Sequence, residues 1–375
     1  MRIATIGPLP PWRGGVAHHA GELLKALRRS HKVLAVSYSA MYPAWLYPGQ
    51  AAPPGSRAAA EDADVTWVVN GSDPRTWREA VGAIADWQPQ AVIMPWWTVY
   101  WAPLSIYTAR ALARRGIPTH FLCHNVFDHD ARWWTKRLAR KALAQAAGFI
   151  THTEQNGHRL RDLFPSTPVE VFPHPSYQHF PKPDRVPQRE AGLELLFFGY
   201  VRRYKGLDLL IEALGMLPDL DFHLEIAGEP WIDRQPLVER MRQLGILERV
   251  TATQRYVEDR EAAGLITRAD AVILPYRQAS GSGVAALALH YDKPVIATRV
   301  GGLAEYVVDG ETGYLVAPGD ASALAGGIAQ LARPRDWRRS IAPHKRALTW
   351  QGLAAAVVRS ICAAESSLAH ESAAG

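Results

Sequence analysis

Phe197-Phe198-Gly199-Tyr200-Val201-Arg202-Arg203-Tyr204-Lys205-Gly206-Leu207-Asp208 is the stretch on which the fold turns. An apolar run stops at a glycine, three cations crowd into the next residues, and a second glycine opens a helical pattern. That order sets positive charge beside the free N–H groups and positive dipole end of a helix, which is chemistry for a diphosphate. Alone, the same residues would also make a basic, solvated turn.

The pattern recurs downstream. Leu274-Pro275-Tyr276-Arg277 leads into Ala279-Ser280-Gly281-Ser282-Gly283-Val284, a second Gly/Ser loop feeding a helix over 285–290. Its amides are a second phosphate cradle. Val300-Gly301-Gly302-Leu303-Ala304-Glu305, Asp309-Gly310-Glu311-Thr312-Gly313 and Pro318-Gly319-Asp320 complete the run.

Short β-branched runs at 193–198, 222–227, 271–275, 294–298 and 314–316 alternate with helical stretches such as 207–217. The first half does the same, with strands predicted at 2–7, 32–38, 65–69, 91–95, 119–123 and 149–152. Helices over 17–29, 76–85 and 104–115 lie between them. Such alternation predicts parallel, doubly wound sheets. Residues 42–60, rich in Pro, Gly and Ala, read as a loop. Seven prolines between 165 and 187 mark a linker. The spacing therefore predicts an α/β chain with domains at 1–175 and 188–345 and a terminal helical segment over 346–375. No repeat of a solenoid's period is visible.

A length of 375 residues suits two domains. With 48% hydrophobic and 21% charged residues, disorder, coiled coil and collagen are excluded. No apolar run approaches the ~20 residues that cross a bilayer, and Met1-Arg2-Ile3-Ala4-Thr5-Ile6-Gly7 lacks a signal-peptide core, so a cytoplasmic location is expected. Cys123 and Cys362 sit in no ligand cluster. A net charge of +6 favours anionic partners. Ten of thirteen tryptophans fall before residue 150, which suggests that the first half binds something with an apolar body.

Taken in order, residues 197–320 resemble the carboxy-terminal lobe of GT-B glycosyltransferases of family 4. Gly7-Pro8-Leu9-Pro10-Pro11-Trp12-Arg13-Gly14-Gly15-Val16 resembles the first loop of that family, which closes on the donor phosphate. The resemblance implies two facing Rossmann-like lobes, an acceptor lobe and a donor lobe, with a final helix around 350–364 returning to the first. It implies transfer of a sugar from a UDP- or GDP-type nucleotide donor to a hydroxyl acceptor, in polysaccharide, glycolipid or glycoconjugate assembly. Configuration would be retained, with no cofactor, no metal and no nucleic-acid partner.

Carried over position by position, Arg202 and Lys205 fall where the family holds the donor diphosphate, in a subgroup reading Gly-x-x-Arg-x-Tyr-Lys-Gly. His124 matches a histidine near the sugar. Gly14 and Gly15 match the phosphate loop, as do Gly199 and the turn Ser282-Gly283-Val284. Glu229, Tyr256 and Val257 match nucleoside-lining loops, and Glu305 a donor contact. Trp96, Trp97 and Trp101, following a strand, would line an acceptor cleft. One departure stands out: where many members carry two glutamates, this chain has Ala279 and Leu287. Ser280 and Ser282 substitute only in part. A sugar-nucleotide epimerase of the same fold, or a non-catalytic sugar-nucleotide or lipid-binding protein, are the alternatives.

Other patterns read blandly. Asp62-Ala63-Asp64 and Asp219-Leu220-Asp221 have metal-transferase spacing but sit at segment ends, and no GxGxxG is present. His152, His174 and His179 read as structural. Arg132-Trp133-Trp134-Thr135-Lys136-Arg137-Leu138-Ala139-Arg140-Lys141 holds five cations and no acid. It reads as a helix packing Trp134, Leu138 and Ala142 inward, or as a contact with anionic membrane.

Overall fold

The computed structural model describes residues 1–42, 64–128, 131–177 and 180–374. The chain divides into two compact units, one of residues 1–173 and 350–375, the other of residues 174–349.

Unit 1 runs β1 (Arg2–Ile6), α1 (Gly15–Arg28), β2 (Lys32–Ala40), β3 (Val65–Asn70), α2 (Pro74–Trp87), β4 (Ala91–Trp96), α3 (Ala102–Ala113), β5 (Thr119–Cys123), α4 (Trp133–Leu143), β6 (Gly148–Thr151), α5 (Glu154–Leu163) and β7 (Val169–Val171). Its strands form one sheet in the order β3-β2-β1-β4-β5-β6-β7, and every ladder is parallel. Strand alternation sorts the apolar side chains to two faces. Ala4, Val92, Met94, Phe121 and Phe149 join the larger core on one side. Ile3, Ile93, Leu122 and Ile150 face the other.

Unit 2 runs β8 (Leu193–Phe198), α6 (Leu207–Gly215), β9 (Phe222–Ala227), α7 (Gln235–Gln243), β10 (Val250–Thr253), α8 (Asp259–Arg268), β11 (Ala271–Leu274), α9 (Gly283–His290), β12 (Val295–Thr298), β13 (Gly313–Val316), α10 (Ala321–Leu331) and α11 (Trp337–Ala347). Its sheet is parallel, in the order β10-β9-β8-β11-β12-β13. Both sheets are covered on both faces, which is why their strands read as short continuous apolar runs. The chain then returns as α12 (Trp350–Ala374) to unit 1. Trp350, Leu353, Ala354, Val357 and Ile361 recur at helical spacing and complete the core over Ile93 and Leu122. By length and composition alone the helical segment Trp337–Ser366 would suit a membrane span, yet the apolar stripe of α12 is spent on the sheet.

The linker reading is refined and one expectation needs correction. The proline-rich stretch does carry a boundary between the units, after Pro173, but it is anchored, because Tyr177 and Phe180 pack into the core of unit 2 and Tyr291 donates a hydrogen bond to the Pro181 carbonyl. On α4, Trp134 does not face inward: Ala139, Ala142 and Leu143 are the buried positions, while Trp133 and Trp134 are 71% and 49% exposed. Most of the 42–60 loop, with Asp62 and His179, lies outside the described residues.

Unit 2 also buries a charged node. Arg268 at the end of α8 places Nη2 2.9 Å from Glu225 Oε2 and Nε 3.3 Å from Glu194 Oε2. His223 bridges Glu194 and Thr251. Glu194 and Glu225 are 1% and 4% exposed. Removing the guanidinium strands two buried carboxylates, a change that costs about 3–5 kcal/mol. Arg268→Met should therefore lower unfolding free energy by about that much in urea titration, and a loss within the error of wild type would contradict the node's role.

Candidate functional site

In unit 2 the chain winds outward from β8 in one direction and from β11 in the other. In such sheets a crevice opens at the carboxyl ends of the two strands flanking the switch point. Gly199 directly follows β8, and Ser282 caps α9 beyond β11. Glu229 follows β9, Tyr256 and Val257 follow β10, and Glu305 ends a short 3-10 helix, Gly301–Glu305, after β12. All the donor-side residues of this unit thus belong to one edge of one sheet.

The cation turn is held rigidly. Lys205 is only 7% exposed; its Nζ donates to the Phe198 carbonyl at 3.4 Å and lies 5.5 Å from the centre of the Tyr276 ring. Gly199 has φ +95°, a conformation that favours glycine, and a Cβ there would come within 2.8 Å of that ammonium and push it aside. Gly206, at φ +67°, would drive a Cβ into the Pro275 carbonyl. Arg277 fastens the turn to the β11 loop: its N–H donates to the Tyr204 carbonyl at 2.7 Å, and its guanidinium grips both oxygens of Asp208 at 2.7 and 2.6 Å.

Arg202 is exposed and lies over the Trp231 ring, 4.5 Å from its centre. Trp231 is placed by backbone bonds that zip the two loops together, from Val201 to the Glu229 carbonyl and from Trp231 to the Val201 carbonyl. Burial, followed by the neighbouring Arg202 charge, pushes the Lys205 pKa down to about 7. An arriving anion would reverse that depression. Ser282 spends its hydroxyl oxygen on the Ala285 N–H, at 3.1 Å, and Gly283 starts the helix. Ala279 and Leu287, the two positions at which the resemblance led to an expectation of glutamates, are 8% and 5% exposed in the apolar core. Val257 is buried, Tyr256 half-buried and Glu305 exposed.

In unit 1, β1 and β4 flank the switch point. Gly14, at φ +111°, caps α1, and a Cβ added at either Gly14 or Gly15 would meet no atom within 4 Å, so this helix start is open. The aromatic assignment changes. Trp96 and Trp101 are 1% and 2% exposed and belong to the core, because their rings fill the space above Phe121 and Tyr38. Trp97 is the half-buried member, its indole N–H 3.3 Å from the Tyr42 hydroxyl.

His124 donates its backbone N–H to the Trp96 carbonyl, and its ring lies 4.7 Å from that of His19 and 5.5 Å from that of His152. Sequence reasoning did not single out His19, and it read His152 as structural; His152 Nδ1 donates to the Phe172 carbonyl at 2.9 Å. The bland reading does hold for His174, whose Nδ1 donates to the Pro175 carbonyl at 2.8 Å and whose pKa burial lowers to about 4. Asp221 accepts the Gly192 N–H at 2.7 Å at the opposite, amino-terminal edge of the sheet.

Comparison with known proteins agrees with this architecture. Residues 14–175 match the family described as Glycosyl transferase 4-like domain, and residues 192–333 match Glycosyl transferases group 1. A D-inositol 3-phosphate glycosyltransferase of Arthrobacter sp. (strain FB24) is 30% identical over 237 residues, 61% of this chain and 56% of the relative, so the chain spans little more than half of that protein's length. A GDP-mannose:glycolipid 4-beta-D-mannosyltransferase of Xanthomonas campestris is 27% identical over 62% of this chain and 68% of its own length. Anabaena HepE, solved in complex with UDP, shares the fold at a TM-score of 0.66 and 16% identity, covering 100% of both chains.

The buried lysine makes a prediction about stability. The unfolded chain holds the Lys205 proton up to its ordinary value near 10.5, whereas the folded chain releases it near 7. The cost of burying the charge is therefore complete below pH 7 and fades as pH rises between those values. Lys205→Met should raise stability at pH 6 by something on the order of 1–3 kcal/mol, a gain that shrinks toward pH 10. Thermal unfolding across that range checks it; equal or lower stability of the variant at pH 6 would refute it.

Proposed function

The chain belongs to the family-4 glycosyltransferases of the GT-B fold, and from that membership we propose that it moves a sugar from a UDP- or GDP-type donor to a hydroxyl acceptor, with retention of configuration. The observation that carries the reading is the convergence of Arg202, Lys205 and the start of α9 at one switch point. In glycosyl transfer from such a donor, negative charge develops on the departing diphosphate. A preorganised ammonium, a guanidinium and helix N–H groups stabilise that charge more than they stabilise the ground state, which lowers the barrier. The ammonium of Lys205 begins poorly solvated, so it gains most when the anion forms beside it. No metal is needed at a leaving group already faced by two cations. The UDP held by Anabaena HepE supports the donor class.

The acceptor is proposed to be lipid-linked and met at an anionic membrane surface on the cytoplasmic side. Support comes from α4 and its cap, where Arg132, Lys136, Arg137, Arg140 and Lys141 are exposed together with Trp133 and Trp134. Cations with interfacial tryptophans form a membrane-surface pattern, at about 1 kcal/mol per cation near anionic lipid. The glycolipid acceptor in the name of the Xanthomonas relative points the same way.

A screen of nucleotide sugars with membrane extract, read by nucleoside diphosphate release, tests the activity. Lys205→Ala and Arg202→Ala should each reduce turnover by about 100-fold or more, and EDTA should leave transfer intact. Turnover within twofold of wild type in both variants would remove the diphosphate role. Co-sedimentation with vesicles should rise with anionic lipid and fall with salt, and Arg137→Glu/Arg140→Glu/Lys141→Glu should stay in the supernatant. Equal pelleting of both proteins would reject α4 as the contact.

A further inference from the structure

Three histidines meet at the carboxyl edge of the unit 1 sheet. His19 lies in α1, His124 directly follows β5, and His152 directly follows β6. One ring nitrogen of each lies within 4.8 Å of those of the other two, and the ring of Trp350 closes over His19 at 5.0 Å. His19 and His152 are 1% and 5% exposed, and the Nε2 atoms of all three rings are sealed from solvent. A cavity of about 30 Å³, bounded also by Thr5, Gly7, Pro95 and Leu122, adjoins His19. Of the three histidines, His19 alone lines it.

The chemistry of the rings is oriented. His152 Nδ1 sits 2.9 Å from the Phe172 carbonyl oxygen. A carbonyl only accepts, so Nδ1 carries the proton and the neutral ring turns its Nε2 lone pair away from Phe172. Donation of the second ring nitrogen to a backbone carbonyl is how metal-ligating histidines are fixed in tautomer and direction. The set holds imidazoles and neither thiolate nor carboxylate. Such a set selects zinc, copper or nickel over magnesium and calcium, which require oxygen. With metal–nitrogen distances of about 2.0–2.1 Å, ligand nitrogens in a tetrahedral site stand roughly 3.3 Å apart. The rings would close by up to about 1.5 Å, through the broad histidine χ2 torsion and small shifts of the three elements.

We propose that His19, His124 and His152 form a site for a Zn²⁺-class transition-metal ion, and that occupancy blocks glycosyl transfer by holding His124. The second clause rests on the proposed function together with the family resemblance, which implies that His124 stands near the sugar. The metal-free chain is the active form, so the site is inhibitory. It belongs wholly to unit 1, whereas the diphosphate cations Arg202 and Lys205 belong to unit 2.

The full-length chain, stripped with chelator, is titrated with Co²⁺ and then Zn²⁺. One equivalent of Co²⁺ should give the visible absorption of a four-coordinate, nitrogen-rich site, and Zn²⁺ should displace it. His19→Gln and His152→Gln should each weaken binding by about 100-fold. Thermal unfolding in EDTA establishes that each variant folds, with His19→Asn and His152→Asn replacing any that does not. Zn²⁺ should abolish transfer by wild type, and EDTA should restore it. Absence of Co²⁺ absorption would overturn the site, as would equal affinity in His19→Gln/His152→Gln, because the metal would then sit on other histidines. Binding that leaves transfer unchanged would overturn the block. If stripped protein transfers no sugar from any donor, the functional reading fails, while the Co²⁺ spectrum still judges the site.

Discussion

The burial of one ammonium, that of Lys205, organises the carboxyl edge of unit 2. A charge so far from water is costly unless it is sheltered by dipoles and freed from crowding. The Phe198 carbonyl and the face of Tyr276 supply the shelter. Gly199 supplies the space, and Gly206 lets the turn pass beneath the Pro275 carbonyl. Arg277 and Asp208 then lock the turn to the neighbouring loop. Each of these residues makes sense as a consequence of holding that group where a chain without a ligand gains nothing from it.

Much of this was legible in the sequence because the relevant information is local. Buried parallel strands read as short apolar runs, and β5, β8 and β9 begin and end where those runs do. Glycine, cations and a second glycine within one strand-to-helix turn mark an anion site without any long-range contact. The edge strands β7 and β10 are only partly buried, so neither shows the continuous apolar run that marks the central strands.

The unread parts all depend on contacts distant along the chain. Trp96 and Trp101 look like a binding surface in sequence, because nothing local says whether an aromatic after a strand turns outward or inward. Phe121, Tyr38 and Val126 decide that they turn inward. Trp134 fails the opposite way, since Ala139, Ala142 and Leu143 suffice to seat α4 and leave the indole outside. The His19, His124 and His152 cluster draws on three separate elements, so no spacing rule could announce it. The prolines of 165–187 signal lost ladder bonds correctly, but Tyr177 and Phe180 determine that the segment is anchored.

Because α12 belongs to unit 1 while residues 174–349 form unit 2, one domain is an insertion within the other. On the ribosome, the face of Ile93, Leu122 and Ile150 must therefore wait for Trp350, Leu353 and Ile361 to be made. At about 5–20 residues per second, synthesis of the intervening unit takes roughly 10–35 s. Unit 2 holds every strand of its own sheet and can close first, whereas the earlier-made half has only α1, through Leu23 and Leu27, over part of that face. Nascent-chain chaperones thus have a defined stretch to guard, and α12 decides when the first domain is finished.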